Sequence, residues 1–420
     1  MSEINRKYNV IDLFAGAGGL SEGFIETGKF DFLAHVEWEK PMVDTLRNNL
    51  EKRWNYSQEE ATRRVIRFDI QKTDELMNGS WSDETRSVYE KDNSPLIACS
   101  GMDGMISEEN VDVIIGGPPC QAYSIAGRAQ DPNSMKDDYR NYLFESFVKV
   151  VDHYRPKLFV FENVPGILSA CPGDQPVIER IYNAFMNIGY KIRKPEEMKN
   201  SVYSAAGFGV PQDRRRVIIF GVEENANIEL EDLYTTLRNL ESDKKTTVRD
   251  AIGGLAELKP LEKTYKEGNR NVSHKMIGEE MLTQHDPRYI NPRDQKIYQE
   301  WIEKDMNKIP NEEKLEYYHL KTGKTTNHNK YRSLEWDKPS PTIVSHLYKD
   351  GHMFIHPDPK QARSITVREA ALLQSFPADF EFVGSTAYCY KMIGNAVPVL
   401  FAKKIGEAVD TVLRNTQEVV

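Results

Sequence analysis

Cys120 is a thiol set at the end of a stop signal. The run 111–115, Val-Asp-Val-Ile-Ile, is apolar, β-branched and bounded by turn residues, which predicts a buried strand. Gly116-Gly117-Pro118-Pro119 follows, and two glycines permit a sharp turn while two prolines fix φ and remove two N–H donors. A cysteine delivered just past such a strand sits where open α/β sheets bind ligands, a placement that suits a nucleophile. The thiol alone does not establish that role. Cys99, Cys120, Cys171 and Cys389 are scattered without a C-x-x-C pair, which argues against a disulfide framework and against a zinc site.

Other strand ends carry complementary chemistry. Asp12-Leu-Phe-Ala-Gly-Ala-Gly-Gly-Leu20 lies between a predicted strand and a predicted helix. Gly16, Gly18 and Gly19 allow a ligand to approach N–H groups that favour anions. Ser21 stands where a dinucleotide fingerprint has its third glycine, and a plain structural turn fits equally well. The second strand ends in Glu37-Trp38 and the third runs into Asp69-Ile70. An acidic side chain there can hold ribose hydroxyls, and Trp and Ile can sandwich an adenine; helix capping is the simpler reading of both carboxylates. Phe161-Glu162-Asn163-Val164-Pro165 places a carboxyl at the same edge, either paired with the Cys120 thiol or solvated at a strand end. In Gln212-Asp-Arg-Arg-Arg216, strand alternation puts Arg214 and Arg216 on one face, able to grip an anion unless the run is simply solvated.

The elements that must position these residues alternate. Strands are predicted over 8–14, 32–37, 65–68, 111–115, 157–162 and 216–222, with helices over 18–27, 41–52, 141–154 and 175–187, which implies a mostly parallel sheet. The segment 71–110 is polar and reads as a surface insertion. From about residue 255 to 330 the alternation gives way to a Lys-, Glu-, Asn-, His- and Tyr-rich stretch. Residues 336–345 resemble a turn entering a strand, and 366–375 and 397–414 read as helices. The chain has 420 residues, enough for two or three domains, with 55 basic against 64 acidic side chains and a net charge of −9. That balance does not veto nucleic acid, because phosphate contacts depend on a local basic face. With no signal-like leader and no apolar run long enough for a bilayer, a cytoplasmic protein without a membrane role is expected.

Taken in order, six segments resemble the motifs of the DNA (cytosine-5)-methyltransferases: 12–19, 117–121, 162–164, 212–216, 368–377 and 394–398. The resemblance covers both ends of the chain and misses the insertion and the middle. It implies a Rossmann-like, S-adenosylmethionine-dependent methyltransferase domain of the α/β class, with helices on both faces of the sheet, and a smaller, irregular target-recognition domain. It also implies roles. Cys120 is the nucleophile for cytosine C6. Glu162 engages N3, and Arg214 and Arg216 hold the base and the neighbouring backbone. The cofactor would lie on Phe14, Ala15, Gly16, Gly18 and Gly19, with its ribose on Glu37 and its adenine near Trp38, Asp69 and Ile70. Pro118, Leu143 and Asn395 complete that pocket, and no metal is called for. Gln121, Ser124 and Arg128 belong to a loop that closes over a base flipped from the duplex.

The implied domains are 1–247 for catalysis, with the 71–110 insertion, 248–362 for target recognition, and 363–420 for a hinge helix and return to the first domain. The implied partner is double-stranded DNA, read by a monomeric bacterial or phage modification enzyme, with any cognate restriction endonuclease acting independently. The product is S-adenosylhomocysteine. Two alternatives stay open at this point: a tRNA cytosine-C5 methyltransferase on the same fold, and an inactive regulatory subunit.

Overall fold

Tyr8–Leu13 forms β1 and is buried at every position, as expected for the central strand of a sheet covered on both sides. The computed structural model describes residues 6–92, 96, 98, 100–106, 109–119, 143–172, 175–279 and 282–417. By contacts the chain divides into two units. The first comprises residues 1–208, 214–243 and 396–420, and the second 209–213 and 244–395.

In the first unit, β2 (Phe30–Glu37), β3 (Val65–Arg67), β4 (Val113–Gly116), β5 (Leu158–Asn163), β6 (Tyr190–Lys191), β7 (Val202–Ser204) and β9 (Arg215–Glu223) join β1 in one eight-stranded sheet. Its main path runs β3-β2-β1-β4-β5-β9-β6, with β7 paired to β9. The five strands from β3 to β5 are parallel, whereas β6 and β7 run antiparallel to β9, and β9 antiparallel to β5. The chain leaves β1 towards β2 and β3, then returns to its other side with β4. The switch point of the topology therefore lies at the carboxyl ends of β1 and β4, where open sheets bind ligands. The helix Gly19–Ile25 follows β1, and the last helix, Val399–Gln417, packs on it. Gly23 permits that approach, because a Cβ there would lie 2.5 Å from the Val399 carbonyl oxygen.

One expectation needs correction. Segment 71–110 is not merely a surface insertion, because Leu76, Met77, Leu96, Met102, Met105 and Ile106 join the same core as Ile11, Ile114 and Phe147. Its apolar residues are too widely spaced among polar ones to show a period, and short helices such as Thr73–Asn78 and Gly101–Met105 collect them. Among the described residues no helix is long and apolar enough to cross a membrane.

The second unit is built differently. β8 (Gln212–Asp213) pairs in parallel with β12 (Ser340–Pro341), and β10 (Glu257–Glu267) forms an antiparallel hairpin with β11 (Arg270–Ile277). The helices Pro292–Glu303 and Asn311–Thr322 accompany a small core of Ile290, Ile297, Tyr298, Trp301, Met306, Tyr331 and Ile355. The helix Val367–Leu373 is entered through a capping box in which Thr366 Oγ1 accepts from Glu369 N–H and the Glu369 carboxylate accepts from Thr366 N–H. Residues 363–395 thus group with the middle of the chain, and Ala396 begins the return to the first unit.

Candidate active site

Leu13 and Gly116 are partners in the β1–β4 ladder, so the glycine turn after β1 and the Gly-Pro-Pro turn after β4 leave the sheet side by side. A Cβ on Gly116 would stand 2.3 Å from the Leu13 carbonyl oxygen, so only glycine fits there. In the first turn Phe14, Gly16 and Gly18 all take positive φ, at 59°, 58° and 89°. At Gly18 the φ of 89° favours glycine, and a Cβ there would also push on the Leu46 side chain at 2.5 Å. Among the described residues, a Cβ on Gly16 would meet nothing within 4 Å, so none of them fills that flank of the backbone.

Glu37 closes one side of this turn. It is buried at the end of β2, where its carboxylate accepts from Gly16 N–H at 2.9 Å and from Trp38 and Glu39 N–H at 2.8 Å each. Burial pushes its carboxyl up to about 7, against the opposing pull of those three donors. Ala15 and Gly19 are buried in the same turn. Trp38 is 47% exposed, Ile70 is buried, and Asp69 caps the following 3-10 turn by accepting from Gln71 N–H. The open flank at Gly16, the buried carboxylate and the half-exposed indole fit a nucleoside-bearing ligand. Leu143 is buried in the core at the start of the helix Leu143–Tyr154. Asn395 is exposed at the end of the helix Thr386–Asn395 in the second unit.

The second cluster forms at β5 and β9. Because β9 runs antiparallel to β5, its first residues stand at the carboxyl ends of the parallel strands, which is how Arg216 reaches Glu162. Arg216 Nε donates to Glu162 Oε1 at 2.8 Å, with both side chains about nine-tenths buried. Arg214 is 1% exposed and Arg215 is exposed, so Arg214 and Arg216 do share the inward face. Burial raises the Glu162 carboxyl above its ordinary range, opposed by the charges of Arg216 and Arg214. The thiol and loop residues Cys120, Gln121, Ser124 and Arg128 lie outside the described residues. The turn leading to Cys120 is described through Pro119, however, and it is tied to this cluster. Asn163 Nδ2 donates to the Pro118 carbonyl at 3.1 Å, and Asn163 Oδ1 accepts from Val164 N–H at 2.9 Å. A Cβ on Gly117 would come within 2.8 Å of Glu162 Oε2, so a larger residue there would displace that carboxyl.

A family model described as C-5 cytosine-specific DNA methylase matches residues 8–411. The chain belongs to that family. The methylase is 36% identical to the type II methyltransferase M.Bpa9945I of Bacillus paralicheniformis over 448 residues, covering 96% of this chain and 99% of the relative. It is 33% identical to the type II methyltransferase M1.HphI of Haemophilus parahaemolyticus, covering 95% and 86%. Among solved structures, a prophage-encoded protein of E. coli described as a DNA modification methyltransferase superposes with a TM-score of 0.62 at 22% identity, covering 97% and 100%. The Dnmt2 methyltransferase of S. pombe gives 0.52 at 15%, covering 97% and 99%, and these two likenesses speak to fold alone. The α/β class with a mostly parallel sheet is thus found, and the methylase acts on C5 of cytosine in DNA, in a family whose members use S-adenosylmethionine.

Two features of the methylase were missed in the sequence. The Asn163 bond to Pro118 ties the Glu-Asn-Val segment to the cysteine turn, and an amide side chain placed directly after Glu162 was the available signal. Ser21, noted only as a departure from a fingerprint, donates to the Asp12 carboxylate and lies 3.0 Å from His35 Nδ1. Asp12 and His35 are register partners on β1 and β2, so Ser21 fastens the first helix behind the glycine turn.

Proposed function

We propose that the chain methylates C5 of a cytosine flipped out of a specific duplex sequence, through a covalent bond between Cys120 and C6. Carrying this reading is the buried Glu162–Arg216 pair, which Gly117 and Asn163 tie to the turn that leads to Cys120. Cytosine C5 is too weakly nucleophilic to react unaided. The Cys120 thiolate supplies an electron pair for the S–C6 bond, and the C5=C6 π pair moves towards C5 as Glu162 hands a proton to N3. S-adenosylmethionine, once bound, supplies the electrophilic methyl group and leaves as S-adenosylhomocysteine. With the methyl on C5, loss of the C5 proton re-forms C5=C6 and expels the thiolate, as N3 returns its proton to Glu162.

Glu162 needs its proton to begin, and burial helps it keep one at higher pH. Arg216 and Arg214 hold the base edge and the adjacent backbone. Phe14, Ala15, Gly16, Gly18 and Gly19 would hold the methionine part of the cofactor, Glu37 the ribose, and Trp38, Asp69 and Ile70 the adenine, completed by Pro118, Leu143 and Asn395. Flipping the base costs a few kcal/mol, and closure of the loop bearing Gln121, Ser124 and Arg128 repays it. Residues 248–362 would read the target sequence, between a catalytic domain over 1–247 and a hinge helix with the C-terminal return over 363–420, of which the part from Ala396 belongs to the first unit. The relatives' type II names support a modification enzyme; in this reading it acts as a monomer in the cytoplasm, independently of any cognate endonuclease and without a metal.

The test is transfer of labelled methyl from S-adenosylmethionine to mixed-sequence duplex DNA and, separately, to total tRNA. Label is expected on DNA cytosine only, and its loss is expected in Cys120→Ala. Label confined to tRNA, or an active Cys120→Ala protein, contradicts the reading.

A further inference from the structure

Gln212 is fully buried and uses both ends of its amide. Its Nε2 donates to the Leu373 carbonyl at 3.2 Å, and its Oε1 accepts from Ile343 N–H at 3.0 Å. The backbone around it is pinned as well. Ser340 N–H donates to the Pro211 carbonyl at 2.9 Å, Thr342 Oγ1 donates to the Asp213 carbonyl at 2.7 Å, and β8 lies in register with β12. All of these partners belong to the second unit, and the chain enters the first unit at Arg214.

The side chains of residues 212–216 alternate strictly. Gln212, Arg214 and Arg216 are buried, whereas Asp213 and Arg215 are exposed. A strand has a period of two, so a slip of one residue would turn both arginines to the opposite face. An amide engaged as donor and acceptor at two separate points resists such a slip, because moving it would orphan both bonds inside the protein. We propose that Gln212 is a positioning residue that sets the register of Arg214 and Arg216 from the recognition unit. The inference deepens the function proposed above and rests on it. Arg216 grips Glu162 in that register, which the pairing of Arg216 with Tyr203 between β9 and β7 also supports.

The test uses the full chain with Gln212→Met, which keeps the volume and loses both bonds, and Gln212→Glu, which keeps the acceptor and loses the donor. Binding of S-adenosylmethionine checks that each variant folds. With the wild type methylating duplex DNA, both variants are expected to keep KM for S-adenosylmethionine and to lose about tenfold to a hundredfold in kcat. A loosened Arg216 no longer lowers the Glu162 pKa, so the alkaline limb of kcat moves to higher pH, a change that a purely structural role would not produce. Wild-type kcat and an unmoved limb in Gln212→Met overturn the proposal, as does an unfolded Gln212→Met beside a folded and fully active Gln212→Glu. A wild type that fails to methylate DNA counts instead against the function itself.

Discussion

Glu162→Gln is expected to lower kcat for methyl transfer to DNA by about 10²–10⁴-fold while leaving the protein at least as stable as the wild type. The substitution removes the proton donor and the carboxylate charge that faces Arg216 and Arg214, and keeps the shape of the side chain. A glutamine Oε1 still accepts from Arg216 Nε, and the amide occupies the carboxyl's place against Gly117. Stability should not suffer because burial penalises the carboxylate, with Arg216 and Arg214 opposing that penalty only in part. The raised pKa also sets the sign of two pH dependences. The protonated form is the competent one, so wild-type kcat falls as pH rises through the Glu162 pKa. The stability this group contributes is complete below its ordinary value of 4.5 and is lost as pH rises through the raised value. Thermal melts should therefore favour Glu162→Gln increasingly towards alkaline pH. Single-turnover rates within about tenfold of wild type would remove Glu162 from the acid role.

Glu369→Ala should produce the largest loss of stability, about 3–5 kcal/mol by denaturant unfolding, because it leaves a buried guanidinium without its counter-charge. Arg363 and Glu369 are both about 1% exposed and joined by two bonds of 2.7 Å, while the same carboxylate accepts from Thr366 N–H at 2.7 Å. Burial alone would raise the Glu369 carboxyl, but the Arg363 charge prevails and brings it down to about 2. His356 lies 3.6 Å away yet adds no charge, since burial and then Arg363 push its imidazole down to about 3. The sign is opposite to that of Glu162. Stability from Glu369 is complete above its ordinary 4.5 and lost as pH falls through about 2, so acid unfolding of the wild type should include a step that Glu369→Ala lacks. Replacing Arg363 and Glu369 together by methionine should recover much of the loss, because no orphaned charge remains. A single variant as stable as wild type would contradict this account of the second unit.

Much of the site was legible because its residues close strands. The runs before Phe14, Glu37, Gly116 and Glu162 are largely apolar, and those before Phe14, Gly116 and Glu162 run into Gly, Asn or Pro, so most strand ends could be located without a structure. Alternation correctly put Arg214 and Arg216 on one face. Glu162 was read at the same edge as Cys120, and β4 does pair with β5, but the direction of β9 was not legible. Nothing in Arg215–Glu223 says that it runs antiparallel beside β5, yet only that direction brings Arg216 to Glu162. Long-range polar bonds were hidden for the same reason, since Asn163 and Pro118 are 45 residues apart. The core contribution of segment 71–110 escaped because Leu76, Leu96 and Met102 have no common period. In the second unit the hairpin and its two neighbouring helices were lost in a polar composition that resembles solvated surface.

The most direct test of the central claim is covalent capture on duplex DNA substituted with 5-fluorocytosine, in the presence of S-adenosylmethionine. Fluorine at C5 cannot leave as a proton does, so the enzyme should remain attached. The account predicts a denaturation-resistant protein–DNA complex whose cross-linked peptide contains Cys120, absent in Cys120→Ala. Methylation of ordinary DNA with no trapped complex on the fluorinated duplex, or a cross-link at Cys99, Cys171 or Cys389, would contradict it.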